Sequence, residues 1–467
     1  MSDAPPTFAV VGHTNEGKSS VVSTLAADDT VRIASAARTT TECREYPVRI
    51  DGETVFNLVD TPGFENARQM LAWLTARQPT ADRRPQAVAD FLLDRRDDPS
   101  FSHEHKLLAP IMRGAGILYV IDASHPFRAR YEAEMEILRW TGQPRLALIN
   151  DKDAGQYLED WKAALNQYFS LVRYFNAHRS TFDNRIALLE ALREVRDDWR
   201  EAIGRAVSAL RMDWARRRRD AAAVIARMLA AVLTHVEDVA LSGDGGALQA
   251  AVESRFHDAL RDLEVDARRT VERLYGHTLL ERDEDQLERP ILERDLFAEE
   301  TWKVLGLSNQ QLLWTGALGG AAVGGSLDAV VGGASMLMGT VLGTMVGAGS
   351  AWWLSSRRYA SAVTTLRALR GDRILRVGPH RNPQLPWVVL DRALLHYAVI
   401  ANRAHSNREV LRMRSGEGTL GVVSRLSDDT RKHLERLFRD LRRAGPGGSS
   451  ELRDRLRDAI DGIMTGA

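Results

Sequence analysis

An apolar run, Phe8-Ala9-Val10-Val11, leads straight into Gly12-His13-Thr14-Asn15-Glu16-Gly17-Lys18-Ser19, which fits GxxxxGK[ST]. No other feature of the sequence constrains the fold so strongly. The pattern needs a buried strand, a tight glycine turn and then a helix, so that successive N–H groups and the helix N-terminus converge on an anion. The motif predicts Lys18 between β- and γ-phosphates and the Ser19 hydroxyl on Mg²⁺, with Ser20 next in the opening helical turn.

Three further apolar runs end in Asp or Asn: Thr54 to Asp60, Gly116 to Asp122 and Arg145 to Asn150. Alternating with helical patterns, they predict an α/β domain with a mostly parallel sheet, helices on both faces, and functional loops at the C-terminal strand ends. Residues 64-110 form a long insertion with one or two helices separated by Pro79 and Pro85. Asp60-Thr61-Pro62-Gly63 suits a carboxylate holding Mg²⁺ through water and a Gly63 N–H aimed at a γ-phosphate. In Asn150-Asp151-Lys152-Asp153, Asp153 would accept the N1–H and exocyclic amine of guanine, with Lys152 beside it and Asn150 bracing the loop. Adenine presents the opposite pattern at that edge, so the carboxylate selects guanine.

Residues 1-195 resemble a small GTPase of the TrmE–Era–EngA-like group. Asn15 matches the asparagine of that group's GxxNxGKS motif, and Thr39-Thr40 its threonine pair. The resemblance implies Thr40 on Mg²⁺, with Thr41 its rival, and Asn176-Ala177 as the fifth motif. It implies a GTP/GDP and Mg²⁺ site in which Lys18, Thr40 and Gly63 serve hydrolysis. Two departures stand out. The lysine of the usual NKxD is displaced by one position, and Phe64 stands where many small GTPases place a water-orienting glutamine. The group also lacks that glutamine and commonly uses a potassium ion held by the P-loop asparagine, so Asn15 is either a K⁺ ligand or a loop cap. Intrinsic turnover is expected to be slow. The whole chain also resembles an uncharacterised bacterial GTPase family of unknown function.

Beyond the head the expected parts are a helical region over 196-311, a glycine-rich apolar hairpin over 312-354 and a mainly helical region over 355-467. Gly316, Gly320 and Gly324, then Gly339, Gly343 and Gly347, recur at four-residue spacing, which forms one small-residue stripe on a helix. In water, helix-interior glycines cost about 1 kcal/mol each against alanine. Trp314 and Trp352-Trp353 flank the stretch, with Arg357-Arg358 beyond. These are the anchors of a membrane hairpin whose ends return to one face; the rival is a glycine zipper buried in the protein. His103-Glu104-His105 is read as a solvated loop, Arg216 to Arg219 as a solvated helix face, and Cys43 as packing.

Composition narrows the partners. Hydrophobic residues at 44% and charged residues at 27% exclude a chain disordered throughout. A formal net charge of zero argues against steering onto nucleic acid, and no specific nucleic-acid partner is expected. One cysteine and no signal-like N-terminus predict a reducing compartment and a chain that starts in the cytoplasm. The expectation is a GTP-hydrolysing switch on the cytoplasmic face of the inner membrane, contacting lipid and able to form a homo-oligomer. Its alternatives are a cytoplasmic ribosome- or RNA-related assembly factor and a non-hydrolysing nucleotide-binding scaffold. If Asp153 reads the base, the protein prefers guanine over adenine by at least tenfold, about 1.4 kcal/mol. Asp153→Asn then shifts preference to xanthine nucleotides in a competition assay. ATP competing as well as GTP would defeat that reading.

Overall fold

The apolar runs become strands of one sheet. The structure is a computed structural model and describes residues 5–27, 42–150, 157–240, 245–277, 367–369, 372–404, 421–446, 448 and 450–466. Contacts divide the chain into two units, the first essentially residues 1–216 and the second mostly the remainder.

In the first unit, β1 (Thr7–Val11), β2 (Arg44–Ile50), β3 (Glu53–Asp60), β4 (Gly116–Ile121), β5 (Arg145–Ile149) and β6 (Leu171–Tyr174) form a six-stranded sheet in the order β2-β3-β1-β4-β5-β6. Every pairing is parallel except β2 with β3, an antiparallel hairpin pair that puts β2 at the edge. That edge strand carries Pro47, a register shift between Val48 and Arg49, and exposed Arg44, Glu45 and Arg49.

The two-residue period of a strand divides the core. Phe8 and Val10 join Leu118, Val120, Leu146 and Leu148 on one face, under α1 (Lys18–Ala26) and α7 (Phe182–Arg193). Ala9 and Val11 join Tyr119, Ile121, Ala147 and Ile149 on the other. There they meet α2 (Ala67–Ala76), α3 (Arg84–Asp94), α4 (Ser102–Met112), α5 (Ala129–Trp140) and α6 (Leu158–Tyr168). The insertion thus holds three helices rather than one or two. Pro85 lies in the first turn of α3, where a missing N–H costs nothing, and does not separate helices. His103 and His105 are on α4 and not in a loop.

From about residue 183 the sequence turns long, charged and helical in pattern, yet it is not one continuous helix. It stops at Arg193, passes through extended Arg196, and resumes as α8 (Arg200–Thr234). Trp199 at that junction sits edge-on to Phe8, with ring centroids 5.1 Å apart, and fills the space over Gly116. Arg216 pairs with Asp51 and Asp213, as a solvated, ion-paired face would.

The second unit takes in the later part of α8, then α9 (Gly245–Leu274), α10 (Leu385–Ala401), α11 (Asp428–Ala444) and α12 (Ser450–Gly466). A small antiparallel sheet, β7 (Glu237–Ala240), β9 (Asp372–Val377) and β8 (Arg367–Leu369), completes it in the order β7-β9-β8. The apolar runs RILRVG and PWVVLD suit a strand pair by sequence; RILRV is a strand, but PWVVLD is the opening of α10, because Pro386 is admitted in a helix's first turn. Buried Glu264 of α9 holds Arg392 of α10 at 2.7 Å and Arg268 at 2.5 Å; burial pushes its carboxyl up, but these cations outweigh it and keep it below the usual range. Leu434, Leu437, Phe438 and Leu441 form the buried stripe of α11, and Arg218 of α8 reaches Asp461 of α12 at 2.7 Å.

The glycine-rich stretch 312-354 lies outside the described residues. Among the described residues no helix is long and apolar enough to cross a membrane. A Cβ added at Gly116 would fall inside the Trp199 ring and 3.2 Å from Phe8. Gly116→Ala should therefore lower stability by about 1–3 kcal/mol through overpacking. Thermal melting checks this, and an unchanged Tm would refute the packing account.

Candidate functional site

The turn between β1 and α1 is a concave row of backbone donors. Asn15 and Gly17 have φ of 68° and 90°, and left-handed backbone at such positions turns N–H groups inward to make an anion nest. Glycine takes that conformation at no steric cost; Asn15 is among the few side chains that tolerate it. Lys18 opens α1, is buried, and donates to the His13 carbonyl at 2.8 Å, across the mouth of the turn. Burial lowers its pKa, while the carboxylates of Asp60, Glu134 and Glu16 act the other way.

Register then supplies the carboxylate. β1 pairs with β3 so that Val10 lies opposite Asp60, and the Ser19 hydroxyl donates to Asp60 Oδ2 at 2.7 Å. Thr61 Oγ donates to the Val10 carbonyl at 2.8 Å, tying the start of Asp60-Thr61-Pro62-Gly63 to the strand that feeds the turn. Gly63 comes so close that a Cβ there would lie 2.8 Å from the Thr14 nitrogen and 2.9 Å from its hydroxyl. Nest, ammonium, hydroxyl and carboxylate thus converge at the C-terminal ends of β1 and β3. The donor set fits a polyphosphate with a hard divalent cation: N–H groups and Lys18 for the anion, Ser19 and Asp60 for Mg²⁺.

Asn150 directly follows β5 and is buried. Its Nδ2 donates to the Glu16 carbonyl at 3.2 Å, and its Oδ1 accepts from Ala177 N at 3.1 Å. The Ala177 carbonyl accepts from Thr24 at 2.8 Å, and Asn176 Oδ1 accepts from the N–H groups of His178 and Arg179. Asn150 and Asn176-Ala177 therefore meet beside the phosphate turn. Thr39, Thr40 and Thr41, and Asp151, Lys152 and Asp153, lie outside the described residues. Cys43 is half-buried, donates to the Lys106 carbonyl at 3.1 Å, and burial first, then nearby carboxylates, push its thiol up to about 11. It packs; it is no thiolate.

A polar network behind the turn is invisible in the motif. Glu16 turns inward, 5% exposed: Tyr131 of α5 donates to its Oε1 at 2.9 Å, and the Asp122 N–H donates to Oε2. His13 Nδ1 lies 2.9 Å from Glu134 Oε1, whose other oxygen accepts from Tyr119 at 2.9 Å. The variable positions of GxxxxGK[ST] say nothing about where their side chains go. Glu134 belongs to an ordinary helical pattern, so no sequence signal marks it.

Comparison with known proteins divides the chain earlier than its contacts do. Residues 7–151 match a family model described as 50S ribosome-binding GTPase, and residues 162–463 match one described as a domain of unknown function, DUF3482. No curated protein matches the chain. Similar solved structures include Era in complex with MgGDPNP and nucleotides 1506-1542 of 16S ribosomal RNA, at 16% identity and a TM-score of 0.29, over 58% of this chain and 89% of that one. Another is a substituted Aquifex aeolicus Era bound to GDP and AlF4⁻, at 13% identity and a TM-score of 0.26, again over 58% and 89%.

Burial raises the Glu16 carboxyl from 4.5 to about 7, against the lowering effect of the Asp122 N–H and Tyr131 hydroxyl. Between those values the folded chain keeps a proton that the unfolded chain has released, so this group's effect is a loss of stability as pH rises from 4.5 to about 7. Glu16→Gln cannot ionise. Without nucleotide, its melting temperature should fall less over that window than that of the unaltered protein, and equal slopes would exclude the effect.

Proposed function

With 162–463 matched, the chain belongs to the family carrying the domain of unknown function DUF3482, and we propose that it works as a GTP-hydrolysing switch whose head drives this second region. The head is a P-loop GTPase domain of mostly parallel α/β architecture, and it binds guanine nucleotide with Mg²⁺ as that class does. The observation that carries the proposal is the convergence of Lys18, the Ser19–Asp60 pair and Gly63 on one backbone nest.

In this reading Lys18 neutralises β/γ oxygens, Ser19 and Asp60 hold the metal ion, and the Gly63 N–H responds to the presence of a γ-phosphate. Thr40 completes the metal site, and Asp153 reads the base. Phe64 is buried and carries no group that could orient water, which supports slow unaided turnover. Asn15, in the left-handed region of the nest, would in this reading be the ligand of a K⁺ ion that adds positive charge beside the phosphates. Hydrolysis relaxes the loops around Gly63, and the second region carries the effect to a target.

For the target, the glycine-rich sequence 312-354 with its tryptophan and arginine flanks supports attachment to the cytoplasmic face of a membrane. A second reading, assembly of ribosomal or other RNA particles, is favoured by the description of the family model that the head matches. The purified protein should release phosphate from GTP slowly, several-fold faster in KCl than in NaCl, and Lys18→Ala should abolish both binding and release. Phosphate release unaffected by Lys18→Ala would end the switch proposal. Co-sedimentation with lipid vesicles supports the membrane target; co-migration with ribosomal particles in a gradient supports the other.

A further inference from the structure

The chain leaving Gly63 enters α2 through Glu65 and Asn66, and the first N–H groups of a helix have no partner within it. Asn66, at the N-cap, makes no side-chain cap bond. The acceptor comes instead from α4 of the insertion. Glu104 Oε1 accepts from the N–H of Glu65 at 2.9 Å and of Asn66 at 2.6 Å. Two more contacts join the same segments: Asn66 Nδ2 donates to the Ser100 carbonyl at 2.6 Å, and His103 Nδ1 lies 3.1 Å from Glu65 Oε1.

Glu104 is fully buried, and its Oε2 has no hydrogen-bond partner among the described residues. An unsatisfied buried oxygen on an acid is costly, and Glu104 takes N–H groups that precede α2, which a capping side chain at position 66 would not reach. The opposite side of α4 holds the other chain segment near the site. Cys43 donates to the Lys106 carbonyl, and Lys106 Nζ lies 2.6 Å from Glu42 Oε1. Glu42 and Cys43 directly follow the threonine run in sequence. Leu107, Leu108 and Ile111 anchor α4 in the core, so the helix is a fixed post.

We propose that Glu104 is a positioning residue for GTP hydrolysis: it clasps the turn after Gly63 to α4, so that the insertion both sets the loop against the γ-phosphate and registers its loss. The proposal rests on the GTPase reading above and deepens it. A single buried oxygen accepting from two successive N–H groups pins the peptide planes at Glu65 and Asn66, and so holds the chain two residues beyond Gly63. A loop that is pre-set loses less entropy when nucleotide arrives, and its correct geometry matters at the transition state more than for GDP.

Single-turnover hydrolysis at saturating GTP, with GDP affinity measured in parallel, tests this on the full chain. Glu104→Ala should slow hydrolysis at least tenfold while GDP affinity stays within threefold. Glu104→Gln, which keeps a carbonyl acceptor, should recover to within about threefold of the unaltered rate. A folded Glu104→Ala protein that hydrolyses at the normal rate, or that loses GDP and GTP affinity equally, overturns the proposal. If Glu104→Ala does not fold, hydrogen–deuterium exchange on the unaltered protein decides. Exchange in 102–112 should differ between GDP and a non-hydrolysable GTP analogue together with 63–66, and a change in 63–66 alone overturns it. Failure of the unaltered protein to bind either nucleotide would defeat the GTPase reading itself and this proposal with it.

Discussion

The parallel pairing of β1 with β3 is the constraint on which the site depends. One register, Val10 opposite Asp60, sets Ser19 and Asp60 within hydrogen-bond distance, draws Gly63 against Thr14, and leaves Thr61 to close on the Val10 carbonyl. A slip of one residue would turn Phe8 and Val10 to the opposite core and carry Asp60 away from the turn. The division of apolar residues between the two faces of the sheet therefore enforces the chemistry indirectly. Packing chooses the register, and the register aligns the groups.

Behind the turn, the polar network does a different job. Glu16 and His13 are anchored on α5 and on the end of β4 by Tyr131, Asp122 and Glu134. Nest geometry is thus held from beneath by side chains that never face the phosphate, and the loop does not have to be ordered wholly at the moment of binding. The arrangement places three carboxylates near Lys18, which favours its charged form where burial alone would disfavour it.

Much of the head was legible because its signals are backbone signals. Strand ends in Gly, Asp and Asn, the glycine turn, and two-residue alternation all report φ/ψ demands or burial, and each maps to a place in the sheet. Asn150 was legible as a strand end, and Asn176-Ala177 through the family resemblance. Glu16, Glu104 and Glu134 were not, because a buried acid looks like a solvated one until its partners, 15 to 121 residues away, are folded against it. Helix boundaries misled for a related reason. Pro85 reads as a separator and Pro386 as part of a strand, yet each sits in a helix's first turn, where proline has no hydrogen bond to lose. The break at Arg196 has no Gly or Pro to announce it; the docking of Trp199 against Phe8 decides it.

The edge strand β2 carries a consequence for how the head can meet other molecules. Pro47 offers no N–H to a neighbouring strand, the shift at Val48 and Arg49 spoils the ladder, and exposed Arg44, Glu45 and Arg49 charge the rim. A visiting extended peptide would find broken spacing and a missing donor along this edge. The border nearest the site is sealed against strand addition, so a regulator of this head must recognise folded relief, its helices and loops, and not prolong its sheet there.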